Sequence, residues 1–145
     1  MCTESVREVT KMAENKIMSV VDGVVCFGDY TLAEKAKLEE SFGGDTYKVK
    51  TFNEMTKLEK NGMFVYESVP GTSVKDFAMS AEGVTFTVEG DSSEDAQIIV
   101  GLEDDTEYQV VVNDNAVGTV KTNLGGKLNF SVDLSAGKAT VSIKK

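Results

Sequence analysis

The 145-residue chain contains no His and no Trp, one Pro and a single Arg, Arg7. Each absence removes a class of chemistry. Without His there is no Ser-His-Asp or Cys-His relay, no imidazole base and no histidine ligand for zinc, iron or copper. One Arg cannot form the multi-arginine clamp that grips a phosphate or a sugar carboxylate. Basic residues are scarce as a class, with 15 Lys and Arg against 24 Asp and Glu and a net charge of −9. Binding to nucleic acid or anionic membrane draws on Lys and Arg that replace counterions, so neither is an expected partner. No apolar run approaches the ~20 residues that span a bilayer, and the first residues lack a signal-peptide pattern. The expected address is the cytoplasm, and no cofactor is implied. Cysteine is limited to Cys2 and to Cys26, inside the apolar run Val24-Val25-Cys26-Phe27. Nothing basic is placed to lower a thiol pKa. Cys26 is therefore expected as a buried structural thiol, with a disulfide or reactive pair as the alternative.

What is present reads as strands. Apolar content of 41% and charged content of 27% are those of a folded globular chain. Thr85, Thr87 and Glu89 alternate with Val84, Phe86 and Val88, and the same period of two recurs around Tyr108, from Lys127 to Leu134 and from Ala139 to Ile143. Strands are predicted near 75–79, 84–89, 96–102, 106–113, 116–122, 127–134 and 138–144. Turn signals such as Gly90-Asp91-Ser92, Asn113-Asp114-Asn115 and Leu124-Gly125-Gly126 separate them. Short alternating strands with hairpin-length connections are the pattern of an antiparallel β-sandwich.

The earlier part is less regular. Val6, Val9, Ala13, Ile17 and Val20 recur at helical spacing, which predicts an amphipathic helix over 4–16 that covers its own core or docks on a partner. Asp22-Gly23 and Asn61-Gly62 are hairpin turns by composition. Residues 32–42 suit a helix, or the first arm of a hairpin closing at Gly43-Gly44-Asp45. Val69-Pro70-Gly71-Thr72-Ser73 holds the only proline, which is foreign to a central strand. The expected organisation is a β-rich N-terminal domain over 1–69, a linker at 70–74 and a sandwich over 75–145.

Two resemblances follow. Leu102-Glu103-Asp104-Asp105-Thr106-Glu107-Tyr108 resembles the tyrosine corner of fibronectin type III and immunoglobulin-like domains. That implies an immunoglobulin-like sandwich in which the Tyr108 hydroxyl bonds back to upstream backbone. Phe27-Gly28-Asp29-Tyr30, the run from Gly44 to Phe52, the run from Lys57 to Thr72 and the run from Val117 to Leu128 resemble a group of short uncharacterised proteins of anaerobic Gram-positive bacteria, sometimes labelled "endosialidase". The label implies three arginines on the sugar carboxylate, a tyrosine nucleophile and Trp-containing repeats on a propeller. One Arg and no Trp leave no residue of such a site to carry over.

Carboxylate pairs are uninformative among 24 acids, although a carboxylate-only hydrolase is one function class they permit. Residues 76–120 hold eleven Asp and Glu and no Lys or Arg. Within them Asp91, Glu94, Asp95, Asp104 and Asp105 are weak calcium candidates from two neighbouring turns. Gly90 to Asp95 lacks the alternating Asp-x-Asp-x-Asp-Gly spacing, and the same residues serve equally as solvated turns that discourage edge pairing. Residues 121–145 carry five Lys against Asp133. If the acidic and basic stretches meet different surfaces, copies attract head to tail; otherwise basic strands pair with acidic ones in one sheet. The expectation is a non-catalytic structural or partner-binding module. Its partner is a protein or a second copy of itself, and turns such as 123–127 are contact loops. A carbohydrate-binding accessory domain is the alternative.

Overall fold

The computed structural model describes residues 17–145. The helix expected over 4–16 lies outside the described residues, and those described contain no helix. Asp22 (φ 52°) and Gly23 (φ 80°) both take positive φ, the turn geometry whose twist matches that of paired strands. They close β1 (Met18–Val21) on β2 (Val24–Phe27). Asn61 (φ 52°) and Gly62 (φ 79°) do the same for β5 (Met55–Lys60) and β6 (Met63–Val69). Between these hairpins, β3 (Ala36–Phe42) and β4 (Asp45–Phe52) turn at Gly43-Gly44. Residues 36–42 are thus a strand, not a helix. Leu38 and Phe42 are half-buried while Lys37, Glu39 and Ser41 are exposed, so a period of two with a covered face overrides good helix formers.

All the strands predicted after residue 74 are present: β7 (Ser73–Ser80), β8 (Gly83–Glu89), β9 (Ala96–Gly101), β10 (Glu107–Val112), β11 (Asn115–Lys121), β12 (Lys127–Val132) and β13 (Lys138–Lys144). They join the earlier strands in two antiparallel sheets. One runs β1-β2-β7-β8-β13-β10-β11, the other β12-β9-β6-β5-β4-β3. Side chains from both form one buried cluster. At its centre Tyr66 meets Phe27, Phe77 and Phe86 edge to face, with ring centroids 5.2–6.1 Å apart.

Residues 70–74 do not separate two self-contained sheets. β2 pairs with β7, and β6 pairs with β9, so each sheet takes strands from both sides of Pro70. Gly71, Thr72 and Val74 are buried. The proline marks the point where the chain crosses from the six-stranded sheet to the seven-stranded one, which calls for the same turn chemistry as a domain linker. The winding after β7 is nested: β8 with β13, β9 with β12, β10 with β11. An immunoglobulin-like sheet instead pairs its second strand with its fifth, and the observed order is of the jelly-roll kind.

Crossovers between the sheets gather at two ends. Segments 28–35, 70–72, 90–95 and 133–137 meet at one end, and 102–106 and 122–126 at the other. Cys26 is half-buried and disulfide-bonded, so it is not the buried free thiol expected.

Candidate functional site

Three surfaces merit attention. The first is a cleft of about 460 Å³ where the four crossovers meet, lined by Tyr30, Asn53, Pro70, Asp91 and Glu94 among others. Beneath it runs a chain of buried hydroxyls with a defined proton order. The Asp29 N–H donates to Thr51 Oγ1 (2.8 Å), Thr51 Oγ1 to Thr56 Oγ1 (2.8 Å), and Thr56 Oγ1 to the Thr72 carbonyl (2.8 Å). Thr56 Oγ1 also accepts the Thr72 N–H at 3.0 Å. One hydroxyl has one proton, so the donation to Thr72 oxygen fixes the direction of the others. On the far side Thr72 Oγ1 contacts the Tyr66 hydroxyl at 2.8 Å and Ser68 Oγ at 2.7 Å. Burial holds the Tyr66 phenol far above its usual pKa, only partly offset by those two hydroxyls. The network positions the crossover at Thr72. Periodicity alone missed it, because Thr51, Thr56 and Ser68 occupy inward strand positions as apolar residues would.

The structure separates the calcium candidates. Asp91, Glu94 and Asp95 lie before β9, while Asp104 and Asp105 lie after it. Six residues of strand put the two turns ~20 Å apart, so they share no cation. Asp91 Oδ1 accepts the Ser93 N–H (2.9 Å) and hydroxyl (2.7 Å), which hold its carboxyl below the usual range. Asp105 pairs with Lys121 at 3.2 Å. Among the described residues no three His, Cys, Asp or Glu side chains stand together as metal ligands.

The second surface is the corner at the other end. The Glu103 N–H donates to the Tyr108 hydroxyl at 3.3 Å. Thr122 Oγ1 donates to the Glu103 carbonyl at 2.6 Å and accepts the Thr106 N–H at 2.9 Å. These bonds tie segment 102–106 to the start of segment 122–126. Asn123 Oδ1 then accepts the N–H of Gly125 (2.8 Å) and of Lys127 (3.0 Å), which sets a tight turn leading into β12. Its tip, Leu124, is 84% exposed.

The third surface is the side of the sandwich bounded by β11 and β12, the last strands of their sheets. Natural sheets blunt their edges with short strands or charge. The opposite side follows that rule: β1 has four residues, and β3 carries Lys37, Glu39 and Glu40. The β11–β12 side does not. Its only charges are Lys121 at the end of β11 and Lys127 at the start of β12; residues 115–120 and 128–132 contain none. Val117 is 54% exposed on β11.

No helix among the described residues is long and apolar enough to cross a membrane. No family model matches the chain, and neither a curated protein nor a solved structure matches it.

Proposed function

We propose that this protein is a non-catalytic, mainly β structural module that acts by adding a strand, from a protein partner or from itself, to its β11–β12 side. The observation that carries the reading is the contrast between its edges: one side of the sandwich is short or charged along its length, and the other leaves open two edge strands whose charge is confined to one terminal Lys each, Lys121 and Lys127. An open strand edge offers rows of N–H and C=O groups, and it recognises an extended segment through backbone bonds with little dependence on side chains.

The test is an amide-resolved NMR titration with a synthetic peptide of sequence 127–133, which reproduces the edge itself. Shifts confined to β11, β12 and the 122–126 turn are expected. No shifts, or shifts in the end cleft, would overturn the reading.

A second reading takes the cleft at Tyr30 as the carbohydrate subsite of an accessory domain. Its support is one aromatic face beside Asn53, Asp91 and Glu94. A glycan array, run with and without calcium, decides it. Binding abolished by Tyr30→Ala supports a subsite, and a blank array removes it.

A further inference from the structure

We infer that the occupant of the β12 edge is a second copy of this chain, paired strand to antiparallel strand about a two-fold axis at Phe130. This rests on the strand-addition reading above and specifies its partner, register and contacts.

The argument begins with the phase of β12. Lys127 directs its backbone away from β9: its N–H donates to Asn123 Oδ1 (3.0 Å), and its carbonyl accepts the Asn123 N–H (3.2 Å). In an antiparallel ladder, residues alternate between bonding one neighbour and the other. Asn129 and Ser131 are in phase with Lys127, so their N–H and C=O groups face the open edge. Leu128 and Val132, in the opposite phase, are fully covered. The edge is also regular. All six residues pair with β9 without a break, with no Gly or Pro among them. β11, by contrast, is interrupted by a bulge opposite Val110/Val111 and by Gly118 at φ 139°, which twist an edge away from further pairing. β12 is therefore the stronger acceptor of the two.

The sequence of that edge is self-complementary in one register. Pairing about Phe130 sets Asn129 against Ser131 of the second copy, so outward-facing groups meet outward-facing groups and form four backbone hydrogen bonds with the symmetry mate. Leu128 then meets Val132 on the core face, and Phe130 meets itself. Lys127 and Asp133 of the second copy fall at the same level, twice by symmetry, and meet through their side chains alone, because Asn123 already holds the Lys127 backbone. Sliding the pair by two residues either way keeps the hydrogen-bond phase but puts Lys127 against Ser131 or Ser135, and both ion pairs are lost. Lys127 and Asp133 are exposed and make no ion pair among the described residues. Lys127 lies over the Phe64 ring at 4.8 Å, and Asp133 accepts the Ser135 N–H. Neither charge is thus committed to an ion pair, and they stand at the first residue of β12 and just past its last. The product is a closed, isologous dimer with one continuous sheet through both copies.

The experiment is sedimentation equilibrium on the full chain and on four variants, with circular dichroism to verify folding. Lys127→Glu and Asp133→Lys each replace two attractive contacts by two repulsive ones, and each should raise the dimer dissociation constant about tenfold or more. The double variant K127E/D133K restores opposite charges across the axis and should return the constant close to that of the parent. Asn129→Pro removes an N–H that faces the open edge without touching the β9 ladder, and should give a folded monomer. A dimer indifferent to the single charge changes, or not rescued by the double change, overturns the register. A chain that stays monomeric at all concentrations overturns the second-copy inference; if the 127–133 peptide still shifts the edge amides, the strand-addition reading stands, and if it does not, both fall.

Discussion

Thr56→Val is the sharpest test of how the crossover at residues 70–72 is held. Valine matches threonine in shape and suits a strand, so the substitution deletes a hydroxyl and little else. That hydroxyl serves three buried groups: the Thr72 N–H at 3.0 Å, the Thr72 carbonyl at 2.8 Å and Thr51 Oγ1 at 2.8 Å. A buried polar group left without its partner costs about 1–3 kcal/mol. Thr51 keeps the bond from the Asp29 N–H and contributes least. Two backbone orphans and one weakened hydroxyl therefore give an expected loss of ~3–5 kcal/mol, a large part of the ~5–15 kcal/mol that holds a domain together. Tyr66→Phe is the internal control. It removes a hydroxyl from the same network, but Thr72 Oγ1 retains Ser68 at 2.7 Å, so the expected cost is ~1 kcal/mol. Urea unfolding of both variants against the parent measures the difference as a shift in midpoint at constant slope. If Thr56→Val costs no more than Tyr66→Phe, the hydroxyl chain is ornamental and the crossover is held by packing alone.

Further outcomes follow from single sites. Gly71→Ala drives a Cβ into the Phe52 carbonyl oxygen, with backbone on both sides of the contact; a loss of at least ~2 kcal/mol is expected in the same unfolding assay, and an unchanged midpoint would contradict the close approach. Ser93→Ala removes a hydroxyl donor from Asp91 but leaves the backbone N–H, so carbon-detected NMR should find the Asp91 pKa raised toward its ordinary value yet still below it. Because its folded pKa is depressed, the Asp91 contribution is present above the unfolded pKa and is lost as pH falls through the folded one. Lys145 behaves in the opposite sense: the hydrogen bond to Glu103 at 2.9 Å raises its pKa. Its contribution is present below the unfolded pKa and lost as pH rises through the folded value. A Glu103→Gln variant should thus differ from the parent at neutral pH and converge with it in strong alkali, and a gap that persists there would refute the assignment.

Most strands after residue 74 were legible because they have a covered and a solvated face, as in β8, β10, β12 and β13, and period two survives translation into structure. The turns were legible where their chemistry is specific, as at Asp22-Gly23 and Asn61-Gly62, whose positive φ values need those residue types. Residues 36–42 were ambiguous because Ala, Lys, Leu and Glu favour helices, and only the neighbouring strand β4 decides the matter. The division at Pro70 failed for a different reason. Composition reports that a chain turns, and pairing partners report what it turns into; β2 with β7 and β6 with β9 are contacts between distant segments that leave no local trace. The calcium candidates failed on the same point, since turns adjacent in sequence stand at opposite ends of β9. The phase of β12 was hidden too. It rests on Asn123 engaging both backbone groups of Lys127, and a sequence displays that only as a turn.

Charge decides between a filament and a closed pair. Read linearly, the acidic stretch 76–120 and the basic stretch 121–145 promise head-to-tail attraction between copies. Folding brings those stretches together first. Lys121 reaches Asp105 at 3.2 Å, Lys145 reaches Glu103 at 2.9 Å, and Lys138 stands opposite Glu89 across the β8–β13 ladder. Cross-strand pairs of this kind satisfy the polarity within one molecule. Lys127 and Asp133 remain unmatched at the two ends of a single edge strand. A complementary pair on two different faces would propagate, because each contact leaves a fresh donor and a fresh acceptor. A complementary pair on one strand, equidistant from Phe130, is consumed completely when two copies meet. The expected assembly therefore stops at two, and its size distribution at high concentration should show a dimer with no higher species. A ladder of larger oligomers would mean that charges assigned here to internal pairs are serving contacts between molecules.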